Sequence, residues 1–369
     1  MAMACDPVIL AAPGVRGLVP YQPGKPIEEL ERELGVTGAI KLASNENPYG
    51  PGVKAQAAAA AALAQMERYP DGGGFALKRA LAQRLGVSER HITLGNGSND
   101  VLELIARTFL SPGETALCDE YAFAAYPISV RGIGARMIQV PSRSYAHDLD
   151  AMARALSPSV RMVFLSNPNN PTGTWFGKDE LTGFLAAVPV STIVVLDEAY
   201  LEYVTEVDYP DGCQFLARHP NLVVVRTFSK IHGLAGLRVG YAVSDPALAE
   251  LMNRLRQPFN VNIVAQAAAV AALSDEAHVE RMRAVNAADR ATLAAALRDR
   301  GLGVLPSVGN FLCVEVGDAA RLYEALLRQG VIVRPLKPYG MSAHLRITVG
   351  RPEENARLMR ALADIARVA

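Results

Sequence analysis

The sequence predicts an α/β protein: a large domain with a mostly parallel sheet covered by helices, followed by a smaller α+β domain. Three observations carry that expectation. Short apolar runs recur at Ala116–Cys118, Met137–Val140, Met162–Leu165, Ile193–Leu196 and Leu222–Val225, with helical patterns between most of them. These runs lack the alternation of a half-solvated strand, so they belong to a sheet buried on both faces. Past Pro258 the rhythm changes to two long helical stretches, 263–273 and 276–300, and then to mixed strands and helices. A chain of 369 residues has room for two domains. The expected division is an arm and helix over 1–40, a large domain over 41–257 and a small domain over 258–369.

In chain order, Pro7, Pro13, Pro20, Pro23 and Pro26 mark an extended arm, in which Val19-Pro20-Tyr21 supplies surface to bury. A helix over Ile27–Leu34 follows, ended by Gly35. Ser44–Pro51 is a turn-rich polar loop close to a site, and an alanine-rich helix spans Lys54–Met66. Arg68-Tyr69-Pro70-Asp71-Gly72-Gly73-Gly74 then reads as a flexible loop presenting one phenol, or as a mere linker. Helix 75–85, strand His91–Leu94 and helix Val101–Phe109 come next. Between the last two lies Gly95-Asn96-Gly97-Ser98-Asn99-Asp100, a strand-to-helix turn of the kind whose N–H groups and dipole receive a phosphate. The third glycine of a dinucleotide fingerprint is missing, which excludes a nicotinamide dehydrogenase. The later elements are strand Phe311–Val316, helix Ala319–Gln329, strands Val331–Val333 and Leu345–Val349, and a last helix.

Composition narrows the function. Lys+Arg and Asp+Glu both number 37, so there is no basic field to gather nucleic acid or hold a membrane surface. The longest apolar stretch, Ala57–Ala64, is too short to span a bilayer. Met1–Asp6 lacks the basic and apolar regions of a signal peptide. Cys5, Cys118, Cys213 and Cys313 are widely separated and the six histidines are scattered, so neither disulfides nor a metal site is expected. The expected setting is the cytoplasm.

In a parallel sheet the ligand crevice lies beyond the carboxyl ends of the strands. The unusual residues cluster there: Gly95–Asp100, Asn167–Gly173, Asp197–Tyr200 and Ser229–Arg238. Lys230 follows a buried strand, where poor solvation favours the neutral, nucleophilic amine. Alone it would equally be a solvated strand-end charge. Ser229 and Arg238 are suited to hold a phosphate beside it, and an aldehyde bearing a phosphate, bound through an amine, describes pyridoxal phosphate (PLP). Asp197 ends an apolar strand, where a carboxylate needs a partner such as a protonated pyridine nitrogen; its alternative task is to cap the next helix. Tyr200 and Asn170 can donate to the cofactor's phenolic oxygen. The prolines of Asn167-Pro168-Asn169-Asn170-Pro171-Thr172-Gly173 fix the backbone that aims Asn170.

Taken in order, Asn167–Gly173, Asp197-Glu198-Ala199-Tyr200 and Ser229-Lys230 followed by Arg238 resemble the fold-type-I PLP-dependent aminotransferases. Ser44–Pro51, Arg68-Tyr69-Pro70-Asp71, Thr227–Lys230 and Leu345–Gly350 resemble the histidinol-phosphate aminotransferases among them. The likeness runs from Val15-Arg16-Gly17-Leu18-Val19-Pro20-Tyr21 to Gly350. It implies transamination of histidinol phosphate with 2-oxoglutarate in histidine biosynthesis, by a homodimer. Lys230 would carry the cofactor and move the proton. Asp197 would pair with the pyridine nitrogen, and Asn170 and Tyr200 with the phenolic oxygen. Ser98, Asn99, Ser229 and Arg238 would hold the phosphate, joined by Tyr69 from the partner subunit. Arg346 would grip the α-carboxylate, with Tyr21 on the substrate phosphate or side chain. Read from the residues alone, Tyr21, Arg334 and Lys337 are candidates for a second anion contact near Arg346. The family's stacking tyrosine falls in Tyr121-Ala122-Phe123-Ala124-Ala125-Tyr126, where Phe123 takes its place unless a one-residue shift brings in Tyr121. Three other readings stand beside this one: an aromatic amino acid aminotransferase, a PLP-dependent decarboxylase of a phosphorylated amino acid, and a regulator that keeps PLP as a ligand.

Overall fold

The computed structural model describes residues 7–368, so Met1–Asp6 and Cys5 with it lie outside the described residues. The apolar runs become strands of one seven-stranded sheet: β1 (Ile92–Gly95), β2 (Thr115–Asp119), β3 (Arg136–Val140), β4 (Val160–Ser166), β5 (Ile193–Asp197), β6 (Leu222–Thr227) and β7 (Gly240–Ser244). Their order across the sheet is β1-β7-β6-β5-β4-β2-β3. Strands β2 to β6 run parallel, and β7 lies antiparallel between β6 and β1. Six strands therefore point their carboxyl ends the same way. Strand β7 was absent from the sequence reading: it starts with Gly240, and its Tyr241 and Ser244 interrupt the apolar pattern. All five of its residues are nonetheless buried.

Alternation along the strands feeds two cores. Val163, Leu165, Val194, Leu196 and Val224 face the helices Leu149–Arg154 and Lys178–Ala187. Met162, Phe164, Val195, Val223 and Val225 face the helices Ser98–Phe109 and Ala125–Gly132. Both faces are buried along the inner strands, where each fully buried side chain of this size contributes roughly 1.5–3 kcal/mol. The edge strand β3, expected to be covered on both faces, is instead largely exposed because it has a neighbour on one side only. A third core gathers the helices Val53–Ala62, Phe75–Leu85 and Ile263–Leu273 around β1 and β7. The last of these helices lies beyond Pro258 yet packs with the large sheet.

The remainder forms a four-stranded antiparallel sheet in the order Arg334–Pro335, His344–Thr348, Phe311–Glu315, Gly303–Val304. Helices Ala319–Arg328 and Pro352–Val368 cover it. Ile40–Lys41 pairs in parallel with Val331–Ile332, and the Thr348 N–H donates to the Leu42 carbonyl at 2.9 Å. The polar loop from Ser44 is thereby fastened to the small sheet and set over the carboxyl edge of the large one. Among the described residues no helix is long and apolar enough to cross a membrane, and no group of three or more His, Cys, Asp or Glu is placed to hold a metal.

Candidate active site

A cavity of about 350 Å³ opens beyond the carboxyl ends of β1, β2, β4, β5 and β6. Tyr21, Ser98, Asn99, Phe123, Asn170, Asp197, Tyr200, Ser229, Lys230, Arg238 and Arg346 all line it. These residues span most of the chain, and the sheet edge is what brings them together.

Strand β6 ends at Thr227 and the chain turns sharply, with the Gly233 N–H bonded to the Lys230 carbonyl at 2.9 Å. Gly233 has φ +69, and a Cβ there would sit 2.4 Å from the Gly50 carbonyl carbon. Only glycine lets this turn rest against the Ser44–Pro51 loop. Lys230 Nζ consequently points into the cavity, donating to the Ser44 carbonyl at 3.2 Å and lying 5.5 Å from the Tyr200 ring centre. It forms no ion pair among the described residues. Burial lowers its pKa to about 8, helped by the charges of Arg346 and Arg238. The lowered pKa makes the neutral form, which a carbonyl-attacking amine requires, far more accessible than in a solvated lysine.

Asp197 closes β5 with its carboxyl inside the cavity. Burial pushes its pKa up to about 6, against the Tyr126 hydroxyl, the Ala199 N–H and the Lys230 charge, which favour the carboxylate. Tyr126 Oη donates to Oδ2 at 2.8 Å, and the Ala199 N–H donates to Oδ1 at 3.1 Å. Among the described residues no cation is bonded to this carboxyl, which leaves it suited to a cationic ligand atom. Tyr126 is fully buried, its ring stacked on Phe164 at 4.7 Å.

Tyr200 and Asn170 are each half-committed. The Asn45 amide donates to Tyr200 Oη at 2.9 Å, which leaves the phenol's own proton free. Arg346 Nη1 donates to Asn170 Oδ1 at 2.5 Å, which leaves the Asn170 NH₂ free. Both retain a donor for a ligand oxygen. On the opposite side, Ser98 and Asn99 open the helix Ser98–Phe109, whose N-cap is Gly97. A Cβ at Gly97 would lie 2.2 Å from Arg238 Nη2, so glycine lets the guanidinium approach the helix end. Arg238 takes φ +58, a left-handed conformation that costs a non-glycine residue roughly 1 kcal/mol or more. Its Nη1 donates to Ser229 Oγ at 3.3 Å. Helix terminus, hydroxyls and guanidinium form an anion cradle. Cradle, easily deprotonated amine and a carboxyl without a cationic partner together match the phosphate, aldehyde and pyridine nitrogen of PLP.

A second feature comes from the small sheet. Arg346 and Arg334 stand directly opposite each other on adjacent strands. Like charges in that register repel, and both are buried with an unpartnered Nε. Arg346 Nη2 donates to the Ala43 carbonyl at 2.6 Å, while Arg334 only faces the Tyr21 ring at 5.2 Å. Arg334 lies outside the first cavity, in an adjoining groove that meets it at Tyr21.

The remaining expected residues divide. Phe123 lines the cavity, whereas Tyr121 stacks on Tyr145 with 5.6 Å between centroids. Tyr69 is not in the cavity; it is 82 % exposed and stacked on Phe259 at 4.8 Å. Sequence reasoning did not assign Tyr126 or Asn45. The phenol of Tyr126 in an otherwise apolar segment was the one available signal, because a buried hydroxyl needs a partner. Asn45 lay in the loop marked as close to a site.

The family model for class I and II aminotransferases matches residues 37–362. Histidinol-phosphate aminotransferase 1 of Nitrosococcus oceani is 56% identical over 357 residues, covering 96% of each chain. Histidinol-phosphate aminotransferase 2 of Pseudomonas aeruginosa is 54% identical over 363 residues, covering 98% of each. The crystal structure of histidinol-phosphate aminotransferase from Sinorhizobium meliloti in complex with pyridoxal-5'-phosphate is similar at a TM-score of 0.89 and 31% identity, covering 96% of this chain and 97% of that one.

Proposed function

The chain belongs to the class I and II aminotransferases, and from that premise we infer that it converts histidinol phosphate and 2-oxoglutarate to imidazole acetol phosphate and glutamate. The reaction is a step of histidine biosynthesis, and PLP is the cofactor. The observation that carries the substrate is the facing pair Arg334 and Arg346. One half-reaction brings a carboxylate and the other a phosphate, and two buried guanidinium groups, each with an unpartnered Nε, suit both anions.

The cofactor supplies a carbonyl that takes up the amine and a ring that accepts the electrons of the broken Cα–H bond. Every other task falls to the chain. Lys230 holds the cofactor through its amine and moves the proton at the substrate carbon. Asp197 keeps the proton on the pyridine nitrogen, and Tyr126 keeps Asp197 ionised and aimed. Asn170 and Tyr200 donate to the phenolic oxygen. Ser98, Asn99, Ser229 and Arg238 hold the phosphate, and Phe123 packs on the ring. Arg346 takes the α-carboxylate of glutamate, while Tyr21 and Arg334 take the substrate phosphate.

The working unit we propose is a homodimer in which Tyr69 completes the partner's site. Tyr69, Met66, Phe75 and Phe259 are exposed apolar residues on this stretch of surface, an arrangement typical of an interface. Mixing Lys230→Ala with a Tyr69→Ala variant and allowing exchange should restore one working site per hybrid dimer. No recovery after proven exchange would place Tyr69 in its own chain's site. The division proposed is an arm over 1–40, a large domain over 41–257 joined by the helix Ile263–Leu273 that packs with its sheet, and a small domain over the rest of 258–369. The setting is cytoplasmic, a compartment where the free thiols Cys118, Cys213 and Cys313 stay reduced. The substrate assignment is tested by kcat/KM for histidinol phosphate, phenylalanine and tyrosine with 2-oxoglutarate. A higher value for either aromatic amino acid would leave the aminotransferase class and remove the substrate.

A further inference from the structure

We propose that the groove beneath the N-terminal arm is the approach channel for the phosphorylated substrate, with Arg131 and Lys337 as an outer pair of cations that steers it towards Arg334. The groove has a volume of about 680 Å³. Arm residues 17–24 form one side of it, the start and end of the helix Ala125–Gly132 a second, and the strand and turn 333–339 a third. It joins the cofactor cavity at Tyr21, the residue common to both.

Its charge is one-sided. Among the described residues Arg131, Arg334 and Lys337 are its charged lining residues, and no Asp or Glu lines it. None of the three forms an ion pair among the described residues. Their burial differs along the groove: Arg131 and Lys337 are exposed, whereas Arg334 is buried with its Nε unpartnered. An exposed cation binds an anion weakly, because water and salt screen it. It still raises the local concentration of anions, and apolar walls of low dielectric focus that field. A buried cation without a counter-ion holds an anion firmly, since the anion removes an uncompensated charge. Outer attraction and inner capture are thus separated in space. The walls between them, with Pro127, Ile128 and Pro335, suit a flat, uncharged imidazole travelling behind its phosphate.

This inference rests on the substrate reading above, and it assigns Arg131 and Lys337 to arrival rather than to chemistry. The test is the double variant R131M/K337M, two exposed positions where loss of charge leaves the core intact. Steady-state kinetics would be run with histidinol phosphate and with phosphate-free histidinol, at low and at high ionic strength. At low ionic strength kcat/KM for histidinol phosphate should fall about tenfold, at the lower end of electrostatic steering effects. That deficit should close as salt is added, with histidinol unaffected. Equal values for wild type and variant at low salt would overturn the proposal. So would an equal loss for both substrates, which would mean that the side chains shape the groove rather than charge it. If the wild type prefers an aromatic amino acid to histidinol phosphate, the substrate reading fails first, and that result is distinguishable from either of these.

Discussion

Two cations stand four residues apart where β6 ends, and the chain treats them in opposite ways. Arg226 is gripped on one side of the sheet: its Nε and Nη2 donate to Glu198 Oε2 at 2.9 and 2.7 Å, and Nη2 also reaches Asp211 at 2.5 Å. Lys230, on the other side, is given a carbonyl and no carboxylate. The acids where β5 ends repeat the contrast. Asp197 and Glu198 are consecutive, so strand alternation turns them to opposite faces. Glu198 meets Arg226, while Asp197 meets only a phenol and an N–H. Both acids and both bases are buried or nearly so, and desolvation penalises all four. Where the chain supplies its own counter-charge the network is structural. Where it withholds one, a ligand must bring it.

The sharpest break in that contrast is Lys230→Ala. Removing the amine should abolish transamination, because no other lysine lines the cavity. Borohydride reduction of the wild type followed by peptide mapping should find the pyridoxyl group on Lys230; finding it on another lysine would end the assignment. Arg226→Met attacks the opposite face. Stripping one partner from a buried ion pair costs roughly 3–5 kcal/mol, so denaturant melts should show a loss of that order. Turnover per folded, cofactor-loaded molecule should stay near wild type. If instead turnover collapses while stability holds, the two faces are not separate in function.

Asp197→Asn comes next. The amide keeps the shape and the Ala199 contact but removes the charge that holds a proton on the pyridine nitrogen. A lost charge partner of this kind costs on the order of 10²-fold or more in kcat. The ligand-free protein should respond the other way. The folded pKa of Asp197, about 6, lies above its ordinary value of 3.8. Its contribution to stability is therefore fully present below pH 3.8 and is lost as pH rises through 6. At pH 7 the ionised group is a liability on the order of 3 kcal/mol, and Asn escapes it. A variant that is both less active and more stable without PLP, at neutral pH, is the expected signature. A variant destabilised at pH 7 would mean that Asp197 is structural after all.

The same contrast explains what was legible in the sequence. Lys230, Asp197, Asn170 and Arg238 were visible because each breaks a local pattern: a charge after an apolar run, an amide between prolines, a guanidinium after glycines. Strands β2 to β6 were visible for the complementary reason, short apolar runs separated by helical patterns. Strand β7 was not, since burial between two neighbours lets Tyr241 and Ser244 sit in a core without an apolar pattern. The register of Arg334 against Arg346 was also hidden, because pairing across strands has no signature in spacing along the chain. Packing of the helix Ile263–Leu273 against the large sheet was invisible for a similar reason: its alanine-rich surface suits either neighbour.

The smallest expected effect belongs to Tyr126→Phe, and it is the finest test of the comparison. Tyr126 is the group that stands in, on the open face, for the cation Glu198 enjoys on the closed one. Phe retains the ring and its stacking on Phe164, so packing changes little. What disappears is one hydrogen bond to a charged oxygen, worth about 1.5–3 kcal/mol when the acceptor is ionised. That bond favours the carboxylate, so its removal should raise the Asp197 pKa further above 6. Part of the bond's energy is already offset by the pyridinium in the loaded enzyme, and kcat at pH 8 should therefore fall only about three- to tenfold, about 0.7–1.4 kcal/mol and so less than the whole bond. The acid limb of kcat/KM against pH should move upwards, by about one unit for each 1.4 kcal/mol lost. A purely structural tyrosine would lower stability or turnover at every pH alike. An acid limb that stays where it is in the wild type would show that the phenol supports the fold and leaves the charge of Asp197 to the cofactor alone.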